Sequence, residues 1–468
     1  MATDRTALLA VPAAAASLLW PALWNGYPIV FADTGTYLSQ AIQHYASWDR
    51  PVFYSLFMLP LHATVTVWPV VVVQALLAAW LLWMVARSLL PDLPAIAFIA
   101  GIALLSLCTW LPWLVSELMP DLFTPLLVVA LCLLVVTPER SPRWEQAVLM
   151  TLTAFMIATQ LSSVPLACLL LAGMLGWDCA QRLVHRRAAA RSRRVTVTAD
   201  TRPAVTDGDN RPSRRDWRLI LLPPALAILA LCSVNLAAHG RFSIAPFGNV
   251  FLLARVIYDG PGMAALRRGC PAAGWRLCPF VGRLPANSDD FLWTPDSPLL
   301  AAGGAKAVSL DAGAIIRAAV LADPADEIGA VLTNSLRQLT RFGSGDGLGP
   351  WPDQVTPVIE HDFPAREQAA YASARQQAGS LFVPAWLAAI HRIIALGGVA
   401  GCLVLLPVAV RRHAPCSVFL FAVLLTLPVS AAITGGLSAP HERYQARIMW
   451  LPPFVAVLSL AALRRQPA

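Results

Sequence analysis

Residues 64–88 read TVTVWPVVVVQALLAAWLLWMVARS, an apolar run whose only charged side chain is Arg87, near its end. About 20 such residues in a helix cross the roughly 30 Å hydrocarbon core of a bilayer. An apolar run of this length predicts a helix, because a lone strand would leave its backbone groups unpaired in lipid. Comparable runs lie at residues 7–24, 94–113, 119–137, 146–162, 165–183, 218–237, 385–409, 414–434 and 445–462, which with 64–88 predict about ten spans. The run 146–183 is broken at Leu161-Ser-Ser-Val-Pro165. The first run has the length of a signal-peptide core, but no convincing cleavage site follows it and more runs come soon after, so a retained helix is expected. The expected fold class is an all-α polytopic membrane protein. Composition agrees: 57% of residues are hydrophobic, 13% are charged and the mean hydropathy is +0.60.

Basic residues set the orientation, since they concentrate on the cytoplasmic side. With the N-terminus inside, Arg87, Arg140/Arg143, Arg411/Arg412 and Arg464/Arg465 all fall on that side. So does the stretch from Arg182 to Arg218, where eleven Arg against four Asp leave a net of 11 − 4 = +7. Both termini are then cytoplasmic. The overall charge of +8 does not imply a nucleic-acid partner, because the basic stretch lies between spans and lacks interleaved aromatic residues. Lys306 is the single lysine beside 34 arginines, which with abundant Ala and Pro suggests a GC-rich bacterial genome and hence an inner membrane.

The expected organisation is an N-terminal membrane module, 1–237, with about seven spans and a cytoplasmic Arg-rich loop 184–217; a mostly helical periplasmic insertion, 238–384; and a C-terminal module, 385–468, with about three spans. The insertion has 147 residues and nearly balanced charge, twelve basic against thirteen acidic. Helical patterns at 312–321, 328–339 and 365–377 alternate with Pro/Gly-rich turns at 257–262, 271–286 and 344–357. Cys270 and Cys278 lie there, either bridged or as two thiols, in a compartment that permits disulfides. The remaining seven cysteines lie in or beside apolar runs and read as packing residues.

Polar motifs gather in the outer loops. Trp24-Asn-Gly-Tyr-Pro-Ile-Val-Phe-Ala-Asp33-Thr-Gly-Thr-Tyr37 is followed by Asp49-Arg50-Pro-Val-Phe-Tyr54. A short helix over 33–45 would place Asp33 at its N-terminus and Tyr37 one turn along. Ser116-Glu117-Leu-Met-Pro-Asp121 puts two carboxylates beside hydrocarbon, which is costly unless they are paired or exposed to a water-filled cleft. Gln160 ends the fifth run. His441-Glu442-Arg443-Tyr444-Gln445-Ala-Arg447 enters the last, with two arginines on one helical face suited to a phosphate or carboxylate. Asp33, Glu117 and Asp121 are the catalytic candidates. Tyr37, Arg50, Tyr54, Gln160, Arg255, His441, Glu442, Arg443 and Arg447 are the candidates for substrate contact. Asp289-Asp290 is a weak site for a divalent cation. HExxH, GxGxxG and GxxxxGK[ST] are all missing, so zincin, dinucleotide and P-loop chemistry lack support.

Many spans, an acidic residue in the first outer loop (Phe31-Ala-Asp33-Thr-Gly-Thr-Tyr37, then Asp49-Arg50-Pro51), a second acidic site at Glu117 and Asp121, and a large outer segment together resemble the GT-C superfamily of polyprenyl-phosphate-dependent membrane glycosyltransferases. The match is best over the topology and the N-terminal 140 residues. It departs from the pattern in having one first-loop Asp where several members have a pair, and in placing its outer domain internally. The resemblance implies Asp33 as base, Arg443 or Arg447 as phosphate holders, and a lipid-linked sugar as donor. It further implies an envelope glycan, lipid or protein as acceptor, with a divalent cation as a candidate cofactor. A transporter and a noncatalytic envelope-assembly scaffold are the competing expectations, the former requiring ionisable groups near the midplane.

Overall fold

The computed structural model describes residues 2–136, 142–196 and 217–465. Helices dominate the described residues, and a single isolated β-bridge joins Ile29 to Glu117. Among the described residues, six helices are long and apolar enough to cross a membrane: Trp68–Leu89, Ser163–Leu183, Ile220–His239, Ala385–Arg411, Cys416–Leu437 and Glu442–Arg465. The other expected spans are shorter. Prolines account for three of the breaks, because a residue without an N–H is best tolerated in the first turn of a helix. The first run divides into Ala2–Ala16 and Trp20–Asn25, with Pro21 opening the second piece. The run 94–113 ends at Cys108, and Leu111–Ser116 restarts beside Pro112. Pro120 opens the turn that leads into Phe123–Val136. The expected break in 146–183 separates Arg143–Ala158 from Ser163–Thr196. The Arg-rich loop falls largely outside the described residues.

Phe123–Val136 lies at the centre, with every side chain from Phe123 to Val135 buried. Ala385–Arg411 is peripheral and leaves Ile393, Leu403 and Val404 exposed. At one end of the bundle Arg87 meets Glu145 at 2.9 Å. The start of Trp68–Leu89 marks the other end, some 30 Å away at about 1.5 Å per residue.

Segment 238–384 does not form one separate body. Its first half, from Gly248–Tyr258 to Gly304–Ala322, builds its own core from Val250, Leu253, Leu266, Phe291, Val308 and Ile315. Cys270 and Cys278 are joined in a disulfide there. Its last third belongs to the core of the bundle through Leu348, Val355, Ile359, Phe363, Tyr371 and Leu381. Between the two parts, Pro324–Thr340 packs along Cys416–Leu437. The expected helices at 312–321, 328–339 and 365–377 appear as Gly304–Ala322, Pro324–Thr340 and Ala365–Ala372.

Candidate functional site

The first outer loop is tied down before it reaches Asp33. The Gln376 side chain accepts from the Val30 N–H at 2.9 Å and donates to the Val30 carbonyl at 2.7 Å, while the Gln376 N–H donates to Asn25 Oδ1 at 2.8 Å. Glu367 Oε1 receives both the Tyr27 hydroxyl and the Val67 N–H at 2.9 Å. Helix Ala32–Ile42 then begins with Asp33 in its first turn, where unpaired N–H groups favour a carboxylate. Gly35 lets this helix pack against Pro352–Asp362, since a Cβ there would lie 1.8 Å from the Gln354 carbonyl oxygen.

Loop Ser116–Asp121 lies alongside. The Ile29 N–H donates to the Ser116 carbonyl and the Leu118 N–H to the Ile29 carbonyl, both at 2.8 Å. From inside the bundle, Gln74 donates to the carbonyls of Val115 and Glu117 at 3.0 and 2.9 Å. The third strand of the site is Glu442–Ala446 and the residues that follow it.

These three segments, with the loop that carries Asp346, bring Asp33, Glu117, Asp121 and Asp346 together with Arg50, Arg443 and Arg447. Asp33 is paired on both oxygens, with Arg50 at 2.7 Å and Arg443 at 3.7 Å. Burial alone would raise its pKa, but the two arginines outweigh burial and hold the carboxyl below its ordinary value. Asp121 is committed to Arg447 at 2.9 Å, and that guanidinium also donates to Gln160 at 3.0 Å. Arg447 is 2% exposed, so it is a buried structural partner of Asp121, not an open phosphate holder.

Two groups remain available. The Glu117 side chain has no hydrogen bond or ion pair among the described residues. Burial first, and then the neighbouring Asp121, push its carboxyl up to about 8. The Arg443 guanidinium stacks over Phe31 at 4.1 Å, lies 5.2 Å from the Tyr444 ring and reaches Asp33 at 3.7 Å, while its buried Nη1 has no hydrogen-bond partner among the described residues. Its backbone N–H donates to Asp346 at 3.0 Å.

Other expected contacts resolve differently. Tyr37 and Tyr54, expected to contact substrate, are 2% and 0% exposed and stack edge to face at 5.0 Å, so the aromatic face of the first loop points into the core. Tyr54 instead donates to Gln74 at 2.7 Å and so steadies the Glu117 loop. Arg255 belongs to a separate buried network with Glu327 and Asp259, in which Asp259 also accepts from Asn334 at 2.9 Å. Arg50 lies in the cluster through its pair with Asp33, and its guanidinium also lies over Trp293 at 5.2 Å. Glu442 accepts from the Gly343 N–H and approaches Arg341 at 3.6 Å, which fixes the loop carrying Asp346. His441 faces Asp289 at 3.6 Å, although burial lowers its pKa from the ordinary value.

Asp290 binds back to Asn287, and no group of three or more His, Cys, Asp or Glu able to hold a metal occurs among the described residues. Asp346, Gln74, Glu367 and Gln376 were not singled out from the sequence. Gln74 alone carried a signal, as a polar residue inside a long apolar run. No protein-family model matches the chain, and comparisons with curated proteins and with solved structures found no match either.

Proposed function

We propose that the chain is a GT-C-like membrane glycosyltransferase that moves a sugar from a polyprenyl-phosphate donor to an envelope glycan, lipid or protein acceptor. The observation that carries this reading is the unpaired Glu117 carboxyl beside Arg443, whose Nη1 is free, where three segments distant in sequence meet. The acceptor hydroxyl attacks the anomeric carbon as its proton passes to Glu117. The bond from that carbon to the phosphate oxygen breaks, and the electron pair leaves on a phosphate held by Arg443. A single displacement inverts the anomeric centre. Asp33, already neutralised, orients Arg50 and Arg443, so the base role expected of Asp33 passes to Glu117 in this reading. Because arginines occupy Asp33 and Asp121, no step is routed through a divalent cation.

The same reading places the polar end in the periplasm of a bacterial inner membrane, with ten spans and both termini cytoplasmic. Transport is less well supported. Among the described residues the ion pairs gather at the ends of the helices, as in Arg87–Glu145 and Asp121–Arg447, and do not form a charged path between them. The test is release of polyprenyl phosphate by the full chain in lipid nanodiscs across a panel of lipid-linked sugars, beside Arg443→Gln. Turnover by the wild type with donor affinity lost in the variant supports the proposal. Neither turnover nor donor binding across the panel overturns it in favour of a transporter or scaffold.

A further inference from the structure

Helix Pro324–Thr340 is patterned inside out for a domain in water. The side it buries carries Glu327, Asn334 and Gln338, at 7%, 6% and 0% exposure, while Ile328, Leu332 and Leu336 on successive turns are 60%, 59% and 66% exposed. All three buried polar residues are engaged by protein: Glu327 binds Arg255 through Oε1, Asn334 binds Asp259, and Gln338 exchanges hydrogen bonds with the backbone of His441. The polar face therefore packs on protein, whereas none of the described residues covers the apolar face.

That face continues the apolar surface of the bundle. The helix lies against Cys416–Leu437 so closely that a Cβ at Gly435 would fall 2.6 Å from the Asn334 carbonyl oxygen. At its C-terminal end Leu339 and Phe342 pack with Ala395, Leu427, Ile448 and Met449, all supplied by candidate spans. Phe382 and Trp386, where the neighbouring span Ala385–Arg411 begins, are 61% and 65% exposed, as expected of an aromatic belt at headgroup level. Exposed Asp323 and Asp326 mark the opposite, N-terminal end of the helix as the one in water.

We infer that Pro324–Thr340 is seated in the leaflet at the polar end of the bundle, with Ile328, Leu332 and Leu336 against lipid acyl chains. The central part of the long outer segment is thus a membrane-seated element that holds the parts on either side of it against the bilayer. This inference is independent of the transferase reading.

The test uses the full chain in nanodiscs with an environment-sensitive fluorescent amino acid placed singly at Leu332, at Leu336 and, as a control, at exposed Arg366. Lipids spin-labelled on the acyl chain and aqueous iodide serve as the two quenchers. The expected result is strong lipid quenching at 332 and 336, with iodide quenching several-fold weaker than at 366. Iodide quenching equal to that at 366 overturns the inference in favour of a water-exposed helix. Shielding from both quenchers overturns it in favour of a second copy or another protein on this face. Because both sites are already exposed, either label alone carries the test if the other variant folds poorly.

Discussion

Turnover is expected to rise about tenfold between pH 7 and pH 9 and to lose this dependence when Glu117 is replaced by Gln. A carboxyl with its midpoint at about 8 is roughly one-tenth ionised at pH 7 and nine-tenths ionised at pH 9, and only the ionised form accepts a proton. Stability moves the other way. The unfolded carboxyl gives up its proton near the ordinary value of 4.5, whereas the folded one keeps it to about 8. Through that window the unfolded state binds fewer protons, so stability falls as pH rises. Glu117→Gln removes the cost of ionising a buried group and should raise the melting temperature at pH 9 while changing it little at pH 4. Both arms use purified protein in nanodiscs: a pH–rate profile for polyprenyl phosphate release, and melting curves at the two pH values. A melting difference that does not depend on pH would refute the assignment of the titrating group, whatever the substrate proves to be.

Asp121→Ala leaves Arg447 buried without its partner and should cost about 3–5 kcal/mol, read as a loss of folded protein in denaturant titrations. Much of that loss should return in Asp121→Ala/Arg447→Met. Gly35→Ala drives a methyl group into the Gln354 carbonyl and should cost about 1–3 kcal/mol or more, with hydrogen exchange rising in both Ala32–Ile42 and Pro352–Asp362. Gln376→Ala strips the Val30 N–H and carbonyl of a partner at a cost of about 1–3 kcal/mol per group. Its signature is faster proteolysis at residues 25–31.

The apolar cores of the helices were legible in the sequence because long uncharged runs have few other solutions. Their ends were less so, since Pro21, Pro112 and Pro120 restart helices inside runs that composition alone treats as continuous. Asp33, Arg50, Glu117 and Arg443 could be nominated from their loops, and the structure places them in one cluster. Which carboxyl is paired could not be read, because it depends on contacts such as Asp121 to Arg447 across 326 positions. Tyr54 was misread for a related reason. An aromatic residue in a polar loop looks accessible until Gln74, from the middle of a helix, is seen to take its hydroxyl.

The span of 326 positions between Asp121 and Arg447 is also an interval of time. At about 5–20 residues per second, synthesis needs roughly 15–65 s to deliver the arginine after the aspartate has emerged. Throughout that interval Asp33 has a local partner in Arg50, whereas Asp121 has none of its own. The growing chain must therefore keep Asp121 wetted at the bilayer edge, and only arrival of the last helix supplies its arginine. Any product ending short of Arg447 carries an exposed polar defect into the membrane.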